Sequence, residues 1–267
     1  MRNKGFSVTL TTVILTGVLL TVLGVSLFIS NTVIEYHIQA TEYENAQNLI
    51  TYLADAVEQV ALGTGGARYV RFSLRRCRLD FIRNYFENDI IVKLDGQVII
   101  QDNPDGLVLR GGNMLTAPPF NVLYPEGVTN PQEEFERYIV YAGEPLTLVY
   151  ETYQEAPTTV LMCRRIRVNY LGIYSVLENS TLKHYNVFEI VYINLTIGRT
   201  GGVGTVPVIV RNKGVNLTNY YLDANSFTLS YWIGSELKQQ VTMQGDVSAD
   251  GTMVVVRIAN LEIGTVG

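Results

Sequence analysis

The chain has 267 residues and a net charge of −5, and only 17% of its residues are charged, a low share for a soluble domain. This acidic balance argues against a general nucleic-acid binder, so nucleic acid is not expected as a partner. Seventeen tyrosines, a residue favoured in strands, and a mean hydropathy of +0.15 indicate a β-rich body joined to one very apolar segment.

The apolar segment begins directly after a short basic start. Residues 6–34 form a window of 29 residues without a charge, rich in Val, Leu, Ile and Thr. A membrane-spanning helix needs about 20 such residues, whereas the apolar part of a cleaved secretion signal has only about 7–15. Arg2 and Lys4 precede the window and Glu35 follows it. The positive-inside rule therefore predicts a cytoplasmic N-terminus and an external body.

The helical pattern continues beyond the membrane edge. Residues 36–62 contain no proline or glycine, and Leu49, Leu53, Ala56 and Val60 repeat at the spacing of one helix face. The glycine-rich sequence GTGG then stops the pattern. We expect one helix from Phe6 to about residue 62, roughly 85 Å long at 1.5 Å per residue. Its amphipathic second half needs a partner, either its own globular body or copies of the same helix.

The remainder of the chain alternates between strand-like runs and turn signals. In residues 89–103, Asp95-Gly96 marks the tip of a hairpin. Residues 79–87 fit a short helix or a strand, and residues 109–134 form a long connection rich in Pro, Gly and Asn. The other predicted strands lie in 67–74, 136–153 (two strands around Ala142-Gly143), 158–177, 186–198, 206–222, 226–234, 239–245 and 252–263.

These elements predict an α+β protein, in which a long N-terminal membrane and stalk helix precedes a mostly antiparallel, β-sandwich-like domain. The expected organisation is a short basic start at residues 1–5, a hydrophobic helical segment at 6–63 and an extracellular β-rich domain at 67–267. About ten strands fit one β domain. The alternative is a division near residues 155–157 into two smaller lobes.

The start of the chain carries a further signal. Lys4-Gly5-Phe6 places a glycine between a basic and a hydrophobic residue, ahead of the run FSVTLTTVILTGVLLTVLG. This start resembles that of type IV pilin-like proteins. The resemblance implies that residues 1–5 are a leader, that prepilin peptidase cuts after Gly5 on the cytoplasmic side of the membrane, and that Phe6 begins the mature helix. Leu10 occupies the fifth mature position, where bacterial pilins usually carry a glutamate, and this favours the archaeal members of the class.

Arginines are concentrated just after the helix. Contact with anionic lipid, surface polysaccharide or the acids of a neighbouring subunit is one interpretation of the cluster. The other, which the sequence favours, is a solvated strand face paired with Glu133, Glu134 and Glu136. The candidate contact residues are Arg68, Arg71, Arg75, Arg76 and Arg78, with Arg83 close behind.

The two cysteines, Cys77 and Cys163, both lie among arginines. Neighbouring cations lower the pKa of a thiol and make it reactive, yet an external location is oxidising and favours a structural disulfide. We expect a Cys77–Cys163 disulfide, and the alternative is two buried free thiols.

Three sequons, at Asn179, Asn194 and Asn216, are candidate N-glycosylation sites in an external domain. For any single site, the unmodified asparagine is an equally good interpretation.

No sequence motif supports an enzyme, a metal site or a cofactor. His37 and His184 have no second ligand at metal spacing, and the nucleophile, zinc-protease and nucleotide motifs are missing. The resemblance to type IV pilin-like proteins implies a major or minor subunit of an extracellular filament, assembled through its helix from copies of itself or related pilin subunits. Its β domain would face outward for adhesion or contact. The alternative is a monomeric, membrane-anchored surface protein that contacts an S-layer, a surface glycan or a ligand.

Overall fold

The computed structural model describes residues 4–63, 65–153, 155–178, 181–202 and 204–265. Its first element is a single continuous helix, α1, which spans Lys4–Leu62 and contains 59 residues. This confirms the predicted long helix. The helix ends where the Gly63 amide donates to the Gln59 carbonyl and Gly65 adopts a φ of +70°, a backbone conformation that glycine tolerates well.

Strands make up most of the remaining described residues, with one short helix, α2, at Pro131–Phe135. The strands are β1 Ala67–Ser73, β2 Arg78–Ile82, β3 Ile90–Leu94, β4 Gln97–Asp102, β5 Gly106–Arg110, β6 Phe120–Tyr124, β7 Ile139–Tyr141, β8 Leu148–Tyr153, β9 Pro157–Met162, β10 Ile166–Glu178, β11 Thr181–Ile197, β12 Thr205–Leu222, β13 Ser226–Ile233, β14 Glu236–Gln244 and β15 Gly251–Thr265.

The strands form three sheets. A six-stranded sheet has the order β1-β12-β15-β11-β10-β7, and only the β11–β15 and β10–β7 pairs in it are parallel. A four-stranded sheet has the order β14-β13-β3-β4, and a five-stranded sheet has the order β2-β5-β9-β8-β6. The predicted β3–β4 hairpin is confirmed, and both of its turn residues, Asp95 and Gly96, have positive φ angles, of 47° and 86°.

The second half of α1 lies between the five-stranded and six-stranded sheets. Ile50, Leu53 and Val57 are fully buried in one core cluster with Leu161 of the five-stranded sheet and Ile193 of the six-stranded sheet. The helix face predicted from spacing is therefore the buried one, and it packs on the protein's own β domain. A second core cluster lies between the six-stranded and four-stranded sheets. The α+β class, with a long helix followed by a mostly antiparallel β-rich domain, is confirmed.

Three parts of the sequence interpretation differ from the structure. Residues 158–177 are not one strand, because the chain leaves the five-stranded sheet after β9 and enters the six-stranded sheet at β10. At this break the buried Arg164 guanidinium lies 3.8 Å from the ring centre of Phe135, and Arg165 Nη2 lies 2.9 Å from Glu134 Oε1. These side-chain contacts replace the sheet pairing of the chain there.

The connection at residues 109–134 contains β6 and α2, and residues 79–87 contain the end of β2 followed by turns. The two strands predicted around Ala142-Gly143 are present as β7 and β8, and they lie in different sheets. A division near residues 155–157 is also wrong, because β8 and β9 pair with each other across that point.

Candidate functional site

The first half of α1 is an apolar surface without cover. Every described side chain in residues 10–31 is exposed, and Leu27 and Phe28 are 71% and 74% exposed. Among the described residues, α1 is the one helix long and apolar enough to cross a membrane, with a mean hydropathy of 2.4 over its most apolar window. A contiguous apolar surface of this size requires lipid or other protein helices around it. The segment is compatible with a membrane anchor.

Three threonine hydroxyl groups in or directly after this segment are satisfied within the helix. Thr16, Thr21 and Thr32 each donate a hydrogen bond of 2.8–3.0 Å to the carbonyl oxygen four residues earlier. An unpaired hydroxyl in hydrocarbon costs several kcal/mol, on the order of 4 or more, so internal pairing makes threonine tolerable there. The composition of the segment therefore suits an apolar environment despite its many threonines.

The predicted processing site lies at the beginning of α1. The helix already includes the backbone of Lys4, Gly5 and Phe6. The rest of the predicted leader, residues 1–3, lies outside the described residues. The proposed cut after Gly5 therefore falls within the first turn of α1, ahead of the whole exposed apolar segment.

Where α1 leaves the apolar segment, a carboxylate fixes the turn between β1 and β2. Glu42 Oε1 accepts hydrogen bonds from the backbone amides of Arg75, Arg76 and Cys77 at 2.7, 2.8 and 2.9 Å. Partial burial opposes ionisation of this carboxyl, but the three donors outweigh it, so the pKa of Glu42 lies below its ordinary value. One turn of the β domain is thus bound to α1 just beyond its exposed apolar segment.

A polar cluster ties the helix to the five-stranded sheet. The hydroxyl of Tyr43 lies 2.9 Å from the hydroxyl of Thr159 and donates to Glu151 Oε1 at 3.2 Å. Gln47 Nε2 donates to the same two partners at 3.0 and 2.8 Å. Burial raises the pKa of both Tyr43 and Glu151. These contacts fix the direction in which the apolar segment leaves the β domain.

A buried acid holds the far end of the helix. Glu58 is 8% exposed, and its Oε1 accepts from the backbone amides of Leu146 and Thr147 at 2.5 and 2.6 Å. Its other oxygen, Oε2, lies 3.9 Å from Arg167 Nη1. Burial dominates, so the pKa of Glu58 is raised despite these partners. The sequence interpretation missed this residue, although a glutamate between Val57 and Val60 on the apolar face is a detectable signal.

The arginine cluster does not form one patch. Arg68 and Arg71 belong to the six-stranded sheet, Arg78 belongs to the five-stranded sheet, and Arg75 and Arg76 lie in the turn between them. All five are exposed.

The partners proposed for these arginines were wrong. Arg76 pairs with Glu35 of the helix at 3.1 Å, and Arg78 pairs with Asp80. Glu134 instead binds two other arginines, Arg137 and the buried Arg165. Arg76 thus adds a contact between the β domain and the first acid after the apolar segment.

Both cysteines are free thiols, so the predicted Cys77–Cys163 disulfide is not formed in the structure. Both are buried in the same core cluster. Burial and the nearby Glu42 carboxylate raise the pKa of Cys77 to about 12, and complete burial raises that of Cys163. The alternative of two buried free thiols is therefore the one that the structure shows, and burial outweighs any lowering of the thiol pKa by the adjacent arginines.

The sequons lie in different environments. Asn216 is exposed on β12, whereas Asn194 is half-buried on β11, with its Nδ2 donating to Asn260 Oδ1 at 3.3 Å. Asn179 lies outside the described residues. Asn216 is thus the more accessible of the two described sequons.

No group of three or more His, Cys, Asp or Glu residues able to hold a metal ion occurs in the described part of the chain. His37 is exposed on the helix, and Nδ1 of His184 lies 2.9 Å from the hydroxyl of Ser175.

Known protein families, curated proteins and solved structures give no match to this chain. The candidate functional feature is therefore the apolar half of α1, together with the contacts that fix it to the β domain.

Proposed function

We propose that this protein is a structural subunit of an extracellular type IV pilin-like filament, made as a membrane-anchored precursor and displayed on the cell surface. One observation carries the proposal: a single helix is exposed and apolar over residues 10–31 and buried in its own β domain over its second half. Such a helix joins a membrane or bundle segment rigidly to an external domain.

The proposed mechanism is assembly. Prepilin peptidase removes the leader after Gly5, and the apolar segment holds the subunit in the bilayer. The same segment then packs against copies of itself or related pilin subunits as the filament core. Glu42, Glu58 and Arg76 keep the β domain attached to the helix, so the domain is carried outward for adhesion or contact.

Two glycines in the apolar segment support close approach of helices. Gly17 and Gly24 lie seven residues apart, on the same helix face, and a β-carbon at either residue would meet no atom within 4 Å beyond the adjoining helix backbone. Small residues at such positions allow helix backbones to pack closely in an apolar medium. We expect Gly24→Leu to reduce assembly, and Val25→Leu, which adds bulk on a different face, to leave it unchanged.

The experiment that tests the proposal is N-terminal sequencing of the native protein, combined with electron microscopy of material sheared from the cell surface. We expect a chain that begins at Phe6 and filaments that contain it. A chain that retains Met1 in cells expressing the peptidase would reject the proposal. A processed chain that is found only as a monomer would instead favour the alternative, an anchored surface-binding protein.

A further inference from the structure

A basic cleft of about 600 Å³ lies on the face of the six-stranded sheet that is turned away from α1. Its charged lining consists of Arg83, Arg199, Arg211, Lys213 and Glu262. Arg211 and Glu262 are cross-strand partners on β12 and β15. Their strand neighbours Val210, Leu261 and Ile263 are buried in the core cluster that contains the helix. Because alternate residues of a strand face opposite sides, the Arg211–Glu262 pair faces outward.

The cleft forms where three separate parts of the chain meet, and a buried carboxylate joins two of them. Asp105 Oδ1 accepts from the backbone amide of Asn84 at 2.8 Å, and its Oδ2 accepts from that of Ile197 at 2.6 Å. Asp105 is 8% exposed. It therefore fixes the positions of Arg83 and of the loop that begins after Ile197 and carries Arg199.

Two glycines let that loop lie close to the sheet. A β-carbon on Gly198 would lie 2.8 Å from the carboxyl carbon of Glu262, and one on Gly264 would lie 2.6 Å from the carbonyl oxygen of Arg199. Both distances are too short for an ordinary contact. At Gly264 the obstacle is backbone, so the close approach requires glycine there, whereas a side chain at Gly198 would displace the Glu262 side chain. The wall of the cleft is thus built by backbone packing as well as by flexible side chains.

The described lining of the cleft has four cationic side chains and one carboxylate, that of Glu262. Glu262 lies 3.2 Å from Lys213 Nζ and 4.0 Å from Arg211 Nη1. Arg83 and Arg199 have no carboxylate within ion-pair distance among the described residues. Guanidinium groups bind carboxylate and sulfate oxygens through paired hydrogen bonds, so two arginines are available for oxyanions.

We propose that this cleft binds an oligosaccharide that carries carboxylate or sulfate groups. Its volume exceeds the needs of a single oxyanion and falls in the range of ligand sites, about 300–1,000 Å³. No aromatic residue occurs in its described lining to stack on a nucleobase, and Ile197 and Ile209 alone offer little surface for a lipid chain. A hydroxylated polyanion matches this polar, basic lining best. The inference goes beyond filament assembly and does not depend on it.

The test is direct binding to the full chain in detergent. Isothermal titration calorimetry at physiological salt would compare a sulfated octasaccharide, a galacturonic acid octamer, neutral maltooctaose and tripolyphosphate. We expect both acidic oligosaccharides to bind more tightly than the other two compounds. Arg199→Ala should weaken their binding by roughly tenfold or more, because a charge-assisted hydrogen-bond pair is lost.

Two further variants separate a defined site from general charge attraction. Arg68→Ala removes the same charge from an exposed residue outside the cleft and should change the dissociation constant less than twofold. Glu262→Gln removes the carboxylate of the described lining at nearly unchanged shape and should tighten binding. Equal weakening by Arg68→Ala and Arg199→Ala would overturn the proposal. So would the absence of binding, or tighter binding of tripolyphosphate than of the oligosaccharides.

Discussion

The carboxylate of Glu58 in α1 accepts hydrogen bonds from both the backbone amide and the hydroxyl of Thr147, at 2.6 and 3.0 Å. This contact joins the far end of the helix to the segment that leads into β8. A buried acid with three donors on one oxygen is expensive to remove, because the donors are left without a partner. The attachment of the helix to its β domain therefore depends on a polar contact within an apolar core.

We predict that Glu58→Ala lowers the free energy of unfolding by about 2–4 kcal/mol, since buried amide donors lose their acceptor. Glu58→Gln keeps an oxygen acceptor and should cost less than half as much. Urea unfolding, followed by the fluorescence of Trp232, the single tryptophan, measures both values. Equal losses of unfolding free energy in the two variants would show that the charge of Glu58, and not its hydrogen-bond acceptor, stabilises the fold.

The raised pKa of Glu58 gives this contact a pH dependence of known sign. The folded state holds the proton more tightly than the unfolded state, so the contribution of Glu58 is fully present below its unfolded pKa and declines as the pH rises through the folded value. The Gln variant lacks this decline. Unfolding measured between pH 4 and pH 8 should therefore show the two proteins converging in stability as the pH rises.

The stabilising contribution of Glu42 changes with pH in the opposite direction, because the pKa of Glu42 is lowered. Its contribution is present above the unfolded pKa and is lost as the pH falls through the folded value. We predict that acidification releases the turn at residues 75–77, seen as a fall in the hydrogen-exchange protection factors of their amides. Glu42→Gln should show reduced protection already at pH 7. Unchanged protection in that variant would contradict the role of the ionised carboxylate.

Two leucines of the same helix should respond very differently to the same substitution. Leu53 is fully buried and Leu23 is 57% exposed. Leu53→Ala should lower the free energy of unfolding by about 2–5 kcal/mol through loss of burial and creation of a cavity. Leu23→Ala should change it by less than about 0.5 kcal/mol. Trp232 fluorescence during unfolding reports both, and similar losses would mean that the apolar half also packs on the β domain.

The cysteines give a labelling prediction. Cys77 and Cys163 are buried thiols with raised pKa values, and only the thiolate reacts with maleimide. We predict negligible labelling of the folded protein at pH 7 and labelling of both residues after unfolding without a reductant. Failure of the unfolded protein to react would show that the two cysteines are joined in the native protein.

Local features of this protein could be predicted from its sequence. The length of α1, its apolar first half, its buried face and the Asp95-Gly96 hairpin follow from residue spacing and composition within short windows. The exposed apolar segment, which carries the proposed function, is one of these features. Its recognition required only an uncharged window too long for a secretion signal.

Only the tertiary structure decided how distant segments combine. The separation of β9 from β10, the burial of Arg165 against Glu134 and the free state of the thiols depend on contacts between residues far apart in the chain. The basic cleft is the clearest case, since Arg83 and Arg199 line it from two distant segments that Asp105 joins by hydrogen bonds. Periodicity specifies which face of an element is buried, whereas strand order and the pairing of buried charges are set by long-range packing.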